Sequence, residues 1–179
     1  MPTNPNQELL CLSFHLTPTT QALISAHECL EVLPIPVAQV VAIPDMPPAV
    51  MGVANWRGEV LWLLDVAYWL GFGALLELYP QQLNYNVIII SSEHKHPLGL
   101  VVAQVGQMFW CPLQQLQSPP GTEMTPALAQ CLRGYWLMNP NQWFLLLDGK
   151  GMIHALTADT APLPPEASTY HSPRPQPHQ

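Results

Sequence analysis

The hydrophobic residues of this chain occur in short runs, separated by clusters of Gly, Pro, Asn and Ser. Apolar runs of about four to eight residues between such turn signals are typical of β-strands rather than helices. The pattern predicts strands at Leu9–Leu16, Ala22–Val32, Val37–Ile43, Val53–Trp56, Val60–Leu64, Val87–Ser91, Leu98–Val105, Gln107–Cys111, Gly134–Met138, Trp143–Leu147 and Met152–Leu156. Many short strands with frequent turn signals indicate an all-β chain built from β-barrels.

Proline and glycine divide these strands and permit only a few short helices. Pro34 and Pro36 exclude a central strand at that point and end the second run, because proline cannot donate to a sheet ladder. Gly106 separates the Leu98–Val105 strand from the next one. Single helical turns are expected at Pro47–Met51, Val66–Leu70 and Pro126–Leu132.

One segment predicts a hairpin with a charged residue at its bend. Val53–Trp56 and Val60–Leu64 are apolar strands, and Arg57-Gly58-Glu59 lies between them. Gly58 supplies a positive φ without steric cost, as tight hairpin turns require. The bend therefore presents Arg57 beside Trp56. Trp and Arg are enriched in the parts of interfaces that contribute most to binding, which favours a partner-facing role for this pair over a purely structural one.

The chain also contains a weak internal repeat. Arg57-Gly58 precedes an apolar strand that ends in Leu63-Leu64-Asp65, and Arg133-Gly134 precedes one that ends in Leu146-Leu147-Asp148. This repeat predicts two similar barrels with intertwined strands.

Composition favours a protein-binding domain over several other classes. The 179 residues suit one domain, and 49% of them are hydrophobic. Only 9% are charged, so the surface must include apolar groups that protein partners can cover. A net charge of -7 with five Lys and Arg residues argues against nucleic acid as a partner.

Targeting signals are absent from the sequence as it stands, which predicts a cytoplasmic protein. The longest apolar runs, Val60–Val66 and Val87–Ile90, are far shorter than the roughly 20 residues of a membrane helix. The N-terminus lacks the basic and apolar regions of a signal peptide. The four cysteines are scattered, without a C-x-x-C motif, and are interpreted as reduced thiols.

The ends of the chain differ from its middle. Residues 1–6 are expected to form an N-terminal tail and residues 7–156 one domain. Residues 157–179 are rich in Pro, Ser, His and Gln, so they are predicted to be a disordered tail.

Candidate catalytic chemistry is sparse. His94 and His96 in a loop next to Glu93 are interpreted as solvated residues, so we expect no metal site, and no cofactor motif occurs. Asp65 and Asp148 each close an apolar strand and are interpreted as caps. A small cytosolic β-barrel enzyme with a hidden Cys–His or Asp–Asp site remains the alternative to a non-catalytic binding module.

Several segments together resemble the CheW-like chemotaxis adaptor family over about residues 7–156. The central motif is the most specific of them. The resembling segments are Ile43-Pro44, Pro48–Val53, Asn55-Trp56-Arg57-Gly58 with the strand into Asp65, Val87–Ile90, Leu98–Val102 with Val105, Ser118-Pro119-Pro120, Arg133-Gly134 and Leu145–Asp148.

The resemblance implies two intertwined five-stranded SH3-like β-barrels that share a core, and an adaptor without catalytic residues in two-component signalling. It implies two partners, the cytoplasmic tip of a chemoreceptor and the regulatory domain of a CheA-type histidine kinase, with the membrane reached only through the receptor. Such an adaptor would serve chemotaxis, phototaxis or pilus-based motility. The receptor hairpin would dock in a groove between the barrels. The partner-binding residues carried over from the family are Cys29, Glu31, Gly52, Asn55, Arg57 and Gly58, and the residue analysis above adds Trp56.

Overall fold

The chain forms ten strands and four short α-helices in a computed structural model that describes residues 7–91, 97–118 and 124–159. The strands are β1 (Glu8–His15), β2 (Gln21–Ser25), β3 (Cys29–Pro36), β4 (Val50–Trp56), β5 (Glu59–Asp65), β6 (Asn84–Ile90), β7 (Leu98–Val102), β8 (Gln104–Pro112), β9 (Leu132–Asn139) and β10 (Gln142–Leu147). The helices are α1 (Val66–Leu70), α2 (Leu75–Leu78), α3 (Pro126–Cys131) and α4 (Gly149–Asp159).

The strands assemble into two five-stranded sheets that exchange elements between the halves of the chain. One sheet has the order β8-β1-β2-β10-β9 and the other has the order β3-β6-β7-β5-β4. We call the first barrel A and the second barrel B. Barrel A therefore combines β1 and β2 with β8, β9 and β10, while barrel B takes the five strands between them. This arrangement confirms the predicted all-β fold of two intertwined five-stranded barrels.

The chain crosses between the barrels at two points that sequence patterns placed wrongly. The predicted single strand Ala22–Val32 is two strands in different sheets, because a 3-10 turn at Ala26–Glu28 separates β2 from β3. Ser25 caps this turn by accepting a hydrogen bond from His27 N. The second crossing lies at Ala103, where β7 ends and β8 begins, and not at Gly106.

Strand β3 continues through both prolines, so its predicted end before Pro34 is wrong. Its position explains this tolerance, because β3 is an outer strand in the sheet order and pairs only with β6. A residue without an N–H is acceptable on an unpaired edge. The predicted strand Val37–Ile43 is also wrong. Val37–Gln39 forms a 3-10 turn, and Val41 alone makes an isolated bridge, to Val53.

Three hydrophobic cores hold the barrels together. One lies inside barrel A and includes Phe144 and Leu146, and one lies inside barrel B and includes Val87 and Ile89. The third contains residues of both sheets and of α1, α3 and α4, so we call it the shared core. The inner strands are apolar at successive positions because one face lines a barrel interior and the other lines the shared core. In β6, Ile88 and Ile90 belong to the shared core.

The C-terminal segment forms a helix where a last strand was predicted. Residues Met152–Leu156 belong to α4, and Met152 and Ala155 are buried while Ile153 and Leu156 pack against the shared core. This spacing is helical, and an apolar run of five residues does not distinguish the two structures by itself. The helix extends to Asp159, three residues into the predicted tail. The remainder of that tail, residues 160–179, and the predicted N-terminal tail, residues 1–6, lie outside the described residues.

Two of the three predicted helical turns are present. The helix α1 ends at Gly71 in a left-handed conformation, and α3 begins at Pro126 after a Thr125 cap. The predicted turn of helix at Pro47–Met51 is wrong, because hydrogen-bonded turns lead directly into β4 there.

The internal repeat is real in the fold, but its register differs from the predicted one. Asp65 N donates to Ala49 O, and Asp148 N donates to Cys131 O, so the two aspartates occupy equivalent positions. Leu146 and Leu63 each lie two residues before the equivalent aspartate. Gly134 pairs with Leu146, and Gly52 pairs with Leu63. The structural counterpart of Gly134 is therefore Gly52. It is not Gly58, which the sequence comparison had aligned with it.

Candidate functional site

The hairpin between β4 and β5 is tighter than its sequence suggested. Trp56 pairs with Glu59, so the loop contains two residues, Arg57 with a φ of 53° and Gly58 with a φ of 84°. Two successive positive φ values are typical of the type I′ turn, whose twist matches that of the flanking strands. Asn55 Oδ1 accepts a hydrogen bond from Gly58 N at 3.2 Å and closes the turn.

Three side chains meet beside this turn. Glu31 Oε2 accepts a hydrogen bond from Trp56 Nε1 at 2.8 Å and lies 3.0 Å from Arg57 Nη2. The Arg57 guanidinium carbon lies 5.0 Å from the centroid of the Trp56 ring, within the range of a cation–π interaction. We call these residues the Glu31–Trp56–Arg57 cluster. It places an arginine in one orientation at the surface.

The cluster also connects the two outer strands of barrel B. Glu31 lies on β3 and Trp56 on β4, which are the first and last strands of the sheet order. Only a closed sheet brings such edges together, so the cluster forms part of the barrel closure. Sequence reasoning could not foresee this contact, because 25 residues separate its partners.

The cluster leaves most of its charged end accessible. The side chain of Arg57 is 69% exposed, and that of Glu31 is 33% exposed. An exposed ion pair contributes at most about 1 kcal/mol to stability. An arginine fork that is already oriented can bind a carboxylate or a backbone carbonyl of a partner with little further ordering. The geometry is therefore better suited to recognition than to stabilisation.

The structure separates the predicted binding residues into two groups. Asn55 and Gly58 belong to the hairpin and support the cluster. Cys29 and Gly52 have packing roles. Cys29 Sγ donates to Ser25 O at 3.4 Å, and burial raises the pKa of this thiol to about 11.

Gly52 is buried in β4 because the neighbouring backbone approaches it closely. A Cβ at this position would lie 2.8 Å from the carbonyl carbon of Val41 and still closer to its oxygen. The isolated bridge between Val41 and Val53 depends on this approach, since each residue donates to the other, at 2.8 and 2.9 Å. Gly52 therefore acts on the hairpin through the backbone.

Sequence reasoning missed two exposed apolar residues on β3. Leu30 is 54% exposed and Val32 is 43% exposed, and they flank Glu31 on β3. Val32 pairs with Ile88, whose side chain lies in the shared core, so Val32 lies on the side of β3 that faces the junction between the barrels. No sequence signal marked this exposure, because Leu30 and Val32 are apolar like the core positions of the other strands.

The cysteines are placed for packing rather than for nucleophilic chemistry. Cys11, Cys111 and Cys131 are buried. Burial raises the pKa of Cys131 to about 12. The pKa of Cys11 is raised by its hydrogen bond with Cys111 and by burial. A thiol reacts as its thiolate, and reactive cysteines are therefore exposed and acidic. These three cysteines lack the exposure, and Cys11 and Cys131 also lack the acidity.

The two strand-ending aspartates begin helices after equivalent strands. Asp65 Oδ1 accepts from Tyr68 N at 3.0 Å and its Oδ2 accepts from Leu75 N at 2.7 Å. Burial raises the pKa of Asp65, while these N–H donors oppose the increase. Asp148 follows β10 and precedes α4, where its Oδ1 accepts from Lys150 N at 3.2 Å. These contacts agree with the interpretation of both residues as caps.

Within the described ranges, no group of three or more His, Cys, Asp and Glu side chains could hold a metal ion. His94 and His96 lie outside those ranges. Among the helices of the described residues, none is both long enough and apolar enough to cross a membrane.

Comparison with known proteins places this geometry in a family. The model of the CheW-like domain matches residues 11–157, which is most of the chain. The chain belongs to the CheW-like domain family. A crystal structure of the scaffolding protein TtCheW from Thermoanaerobacter tengcongensis has the same fold, with a TM-score of 0.66 and 16% sequence identity. The match covers 82% of this chain and 92% of TtCheW. A search of curated proteins gave no match.

Membership in the CheW-like domain family confirms the resemblance to that family that the sequence motifs indicated. The matched residues include both barrels, the hairpin and the Glu31–Trp56–Arg57 cluster. The CheW-like family is one of scaffold and adaptor domains, and its SH3-like barrels are the two sheets described here.

Proposed function

We propose that this CheW-like domain is a non-catalytic adaptor that couples the cytoplasmic tip of a chemoreceptor to a CheA-type histidine kinase. The observation that carries the proposal is the exposed Arg57 guanidinium, oriented by Glu31 at 3.0 Å and by the Trp56 ring at 5.0 Å. Family membership supports the adaptor class, and TtCheW is described as a scaffolding protein. The signal that it transmits would serve chemotaxis, phototaxis or pilus-based motility.

The docking surface combines charge with apolar area. Arg57 supplies the directional contact at the hairpin, while Leu30 and Val32 supply exposed apolar surface on β3. Val32 lies on the junction side of that strand, opposite to Glu31. Aromatic and arginine anchors surrounded by apolar residues are typical of the energetically dominant part of an interface. A helical hairpin with one apolar face and a carboxylate or carbonyl at the position of Arg57 would satisfy both features.

The two partners would use different parts of the molecule. We assign the chemoreceptor tip to the junction between the barrels on the β3 side, and the regulatory domain of the kinase to the remaining barrel surface. The domain would act in the cytoplasm and reach the membrane only through the receptor. No nucleic acid is expected as a partner, because the net charge is -7.

Titration of two variants tests the proposal. Wild type, Arg57→Ala and Arg133→Ala are titrated separately against a receptor-tip fragment and against the regulatory domain of the kinase. Arg133 is the matched control, since it is an exposed strand arginine of barrel A. Loss of a dominant interface arginine costs about 2 kcal/mol, or roughly 30-fold in Kd. We expect this loss for Arg57→Ala with the receptor tip. Receptor binding should change little for Arg133→Ala, because Arg133 lies on the surface assigned to the kinase.

Two results would contradict the assignment. If wild type binds neither fragment, the adaptor function itself is wrong. If wild type binds but Arg57→Ala binds equally well, the function stands and the cluster is only part of the barrel closure.

The enzyme alternative has a separate test. Cys29 and Cys131 have raised pKa values, and the oxygens of Asp65 accept backbone hydrogen bonds, so these groups are not arranged for catalysis. We expect no ATP binding and no hydrolysis by the purified chain. Saturable turnover that survives repeated purification, and that Asp65→Asn or Cys29→Ser abolishes, would favour the enzyme.

A further inference from the structure

An exposed tryptophan lies at the centre of an apolar face of barrel A. Trp110 of β8 is 60% exposed, and Met108, two positions earlier on the same face of the strand, is 53% exposed. Trp110 pairs directly with Leu10 of β1, which is half-buried. Pro112, also half-buried, continues the same face at the end of β8. We call these four residues the Trp110 face.

One carboxylate borders the Trp110 face. Glu8 and Leu10 are two positions apart in β1, so their side chains lie on the same side of the sheet. Glu8 pairs with Pro112, which makes it a diagonal neighbour of Trp110. It is exposed, and among the residues that the structure describes it takes part in no ion pair. The surface therefore combines an indole ring with an available negative charge.

The end of the chain carries chemistry that matches this surface. Residues 172–177 read Ser-Pro-Arg-Pro-Gln-Pro, so Arg174 stands between two prolines. Proline-rich segments favour the polyproline II helix, which docks on exposed aromatic side chains with little loss of conformational entropy. Arg174 is the only Lys or Arg after Lys150. It is thus the one cation that this part of the chain offers to Glu8.

The position at which α4 lies allows the contact within one chain. The helix begins next to β2, because a Cβ on Gly149 would lie 3.3 Å from Ile24 Cδ1. Only β1 separates β2 from β8, so the Trp110 face lies about 10 Å away across the sheet. The length of α4 adds about 16 Å. Residues 160–171 span up to about 37 Å as polyproline II, which is enough to cover both distances.

The other proline cluster of the tail does not fit the Trp110 face. Pro162, Pro164 and Pro165 come directly after α4, and residues 160–165 span only about 19 Å as polyproline II. Glu166 follows them, and its charge has the same sign as that of Glu8. This cluster therefore supplies a matched control.

We propose that residues 173–177 dock on the Trp110 face of their own chain as a polyproline II helix, with Arg174 paired to Glu8. The prolines enter this contact with φ already fixed, so ordering the segment costs less than ordering other residues would. The remainder of the tail serves as the connection. This contact does not depend on the adaptor function proposed above.

The contact has to be measured at the surface itself rather than through stability. Docking that is about three quarters complete multiplies the folding equilibrium constant by about four. Such a factor moves Tm by no more than a few degrees. Fluorine NMR of the full chain labelled with 5-fluorotryptophan reports the surroundings of Trp110 directly, and a Trp110→Phe variant assigns its signal.

Trp143 provides an internal reference in the same spectra. It is 42% exposed on β10 and pairs with Leu137. Because β10 runs parallel to β2 and β2 runs antiparallel to β1, Trp143 lies at the opposite end of barrel A from Glu8. A Trp143→Phe variant assigns its signal, which should be the same in every tail variant.

Two proline variants of the full chain test which segment docks. The distal variant is Pro173→Ala/Pro175→Ala/Pro177→Ala, and the proximal variant is Pro162→Ala/Pro164→Ala/Pro165→Ala. We expect the distal variant to shift the Trp110 signal and the proximal variant to leave it as in wild type. A synthetic peptide of residues 170–179, added to the distal variant, should return the signal to its wild-type position.

Charge variants test the pairing of Arg174 with Glu8. Glu8→Gln in the distal variant should weaken binding of the peptide by up to about fivefold, as loss of an exposed ion pair does. Glu8→Arg and Arg174→Glu should each shift the Trp110 signal of the full chain. Their combination should restore the wild-type position, because the pair is then re-formed with its charges exchanged.

Three results would overturn the proposal. A Trp110 signal that is identical in wild type and in the distal variant would show that the tail does not cover this face. A wild-type Trp110 signal that changes with protein concentration would assign the face to a second copy of the chain. Failure of the exchanged charges to restore the signal would show that Glu8 does not select Arg174.

Discussion

Replacing Gly52 by alanine should cost far more stability than replacing Gly58, although the two glycines lie in the same hairpin. Both have positive φ values, 138° and 84°, so both substitutions strain the backbone. An alanine Cβ at Gly58 would meet nothing within 4 Å. At Gly52 it would lie 2.8 Å from the carbonyl carbon of Val41 and closer to the oxygen, so the Val41 segment must move away.

The expected difference follows from the contacts that this movement breaks. Backbone strain of this kind costs about 1–3 kcal/mol. The bridge between Val41 and Val53 contains two hydrogen bonds, each with a net value of about 1 kcal/mol. Gly52→Ala should therefore lower the free energy of unfolding by about 3–5 kcal/mol. Gly58→Ala should lower it by about 1–2 kcal/mol, since only the strain of a left-handed residue applies.

Urea denaturation followed by circular dichroism measures both values. For an m-value of about 2 kcal/mol/M, the midpoint should fall by about 1.5–2.5 M for Gly52→Ala and by about 0.5–1 M for Gly58→Ala. Equal shifts for the two variants would refute the argument, because they would show that the approach of Val41 has no energetic consequence. An equally stable Gly52→Ala protein with weaker receptor binding would instead make Gly52 a contact residue.

Three further predictions test other parts of the molecule. Arg57→Gly should weaken partner binding as Arg57→Ala does, yet the variant should melt within a few degrees of wild type. Glycine relieves the left-handed φ of 53°, and the exposed ion pair contributes about 1 kcal/mol or less. A fall in Tm of more than about 8 °C, at about 2–4 °C per kcal/mol, would make Arg57 chiefly structural. Asp65→Asn should lower the free energy of unfolding by about 2 kcal/mol, since one N–H donor, of Tyr68 or Leu75, would then face an amide NH2; an unchanged stability would contradict the capping role. Deletion of residues 160–179 should leave Tm within a few degrees, because six prolines and few large apolar side chains cannot repay the entropy of ordering; a large decrease would show that the segment packs on the barrels.

The cluster at the hairpin shows how far local reasoning extends. The hairpin and the outward position of Arg57 follow from Gly58 and the flanking apolar strands, so they were predictable. The two-residue loop was not predicted, because Glu59 was placed in the bend although it pairs with Trp56. Glu31 was named only because the family resemblance carried it over. The hydrogen bond of Glu31 with Trp56 and its ion pair with Arg57 depend on closure of barrel B, which brings β3 and β4 together from opposite edges of the sheet.

The sequence by itself determined the class of fold, the strand-rich pattern and the family. Short apolar runs, turn residues and the central motif are local features, and they required no knowledge of which strands pair. Two inner strands, β6 and β10, were evident for the same reason, since Val87–Ile90 and Phe144–Leu147 are apolar on both faces.

Only the tertiary structure decided where the chain leaves one barrel and enters the other. The run Ala22–Val32 is apolar on both sides of the crossing, so its composition does not mark the turn at Ala26–Glu28. The apolar run Met152–Leu156 could pack as a strand or as a helix, and the surface offered by the shared core selected the helix. Both choices depend on non-local contacts, whose free energy exceeds the weak preferences of short segments.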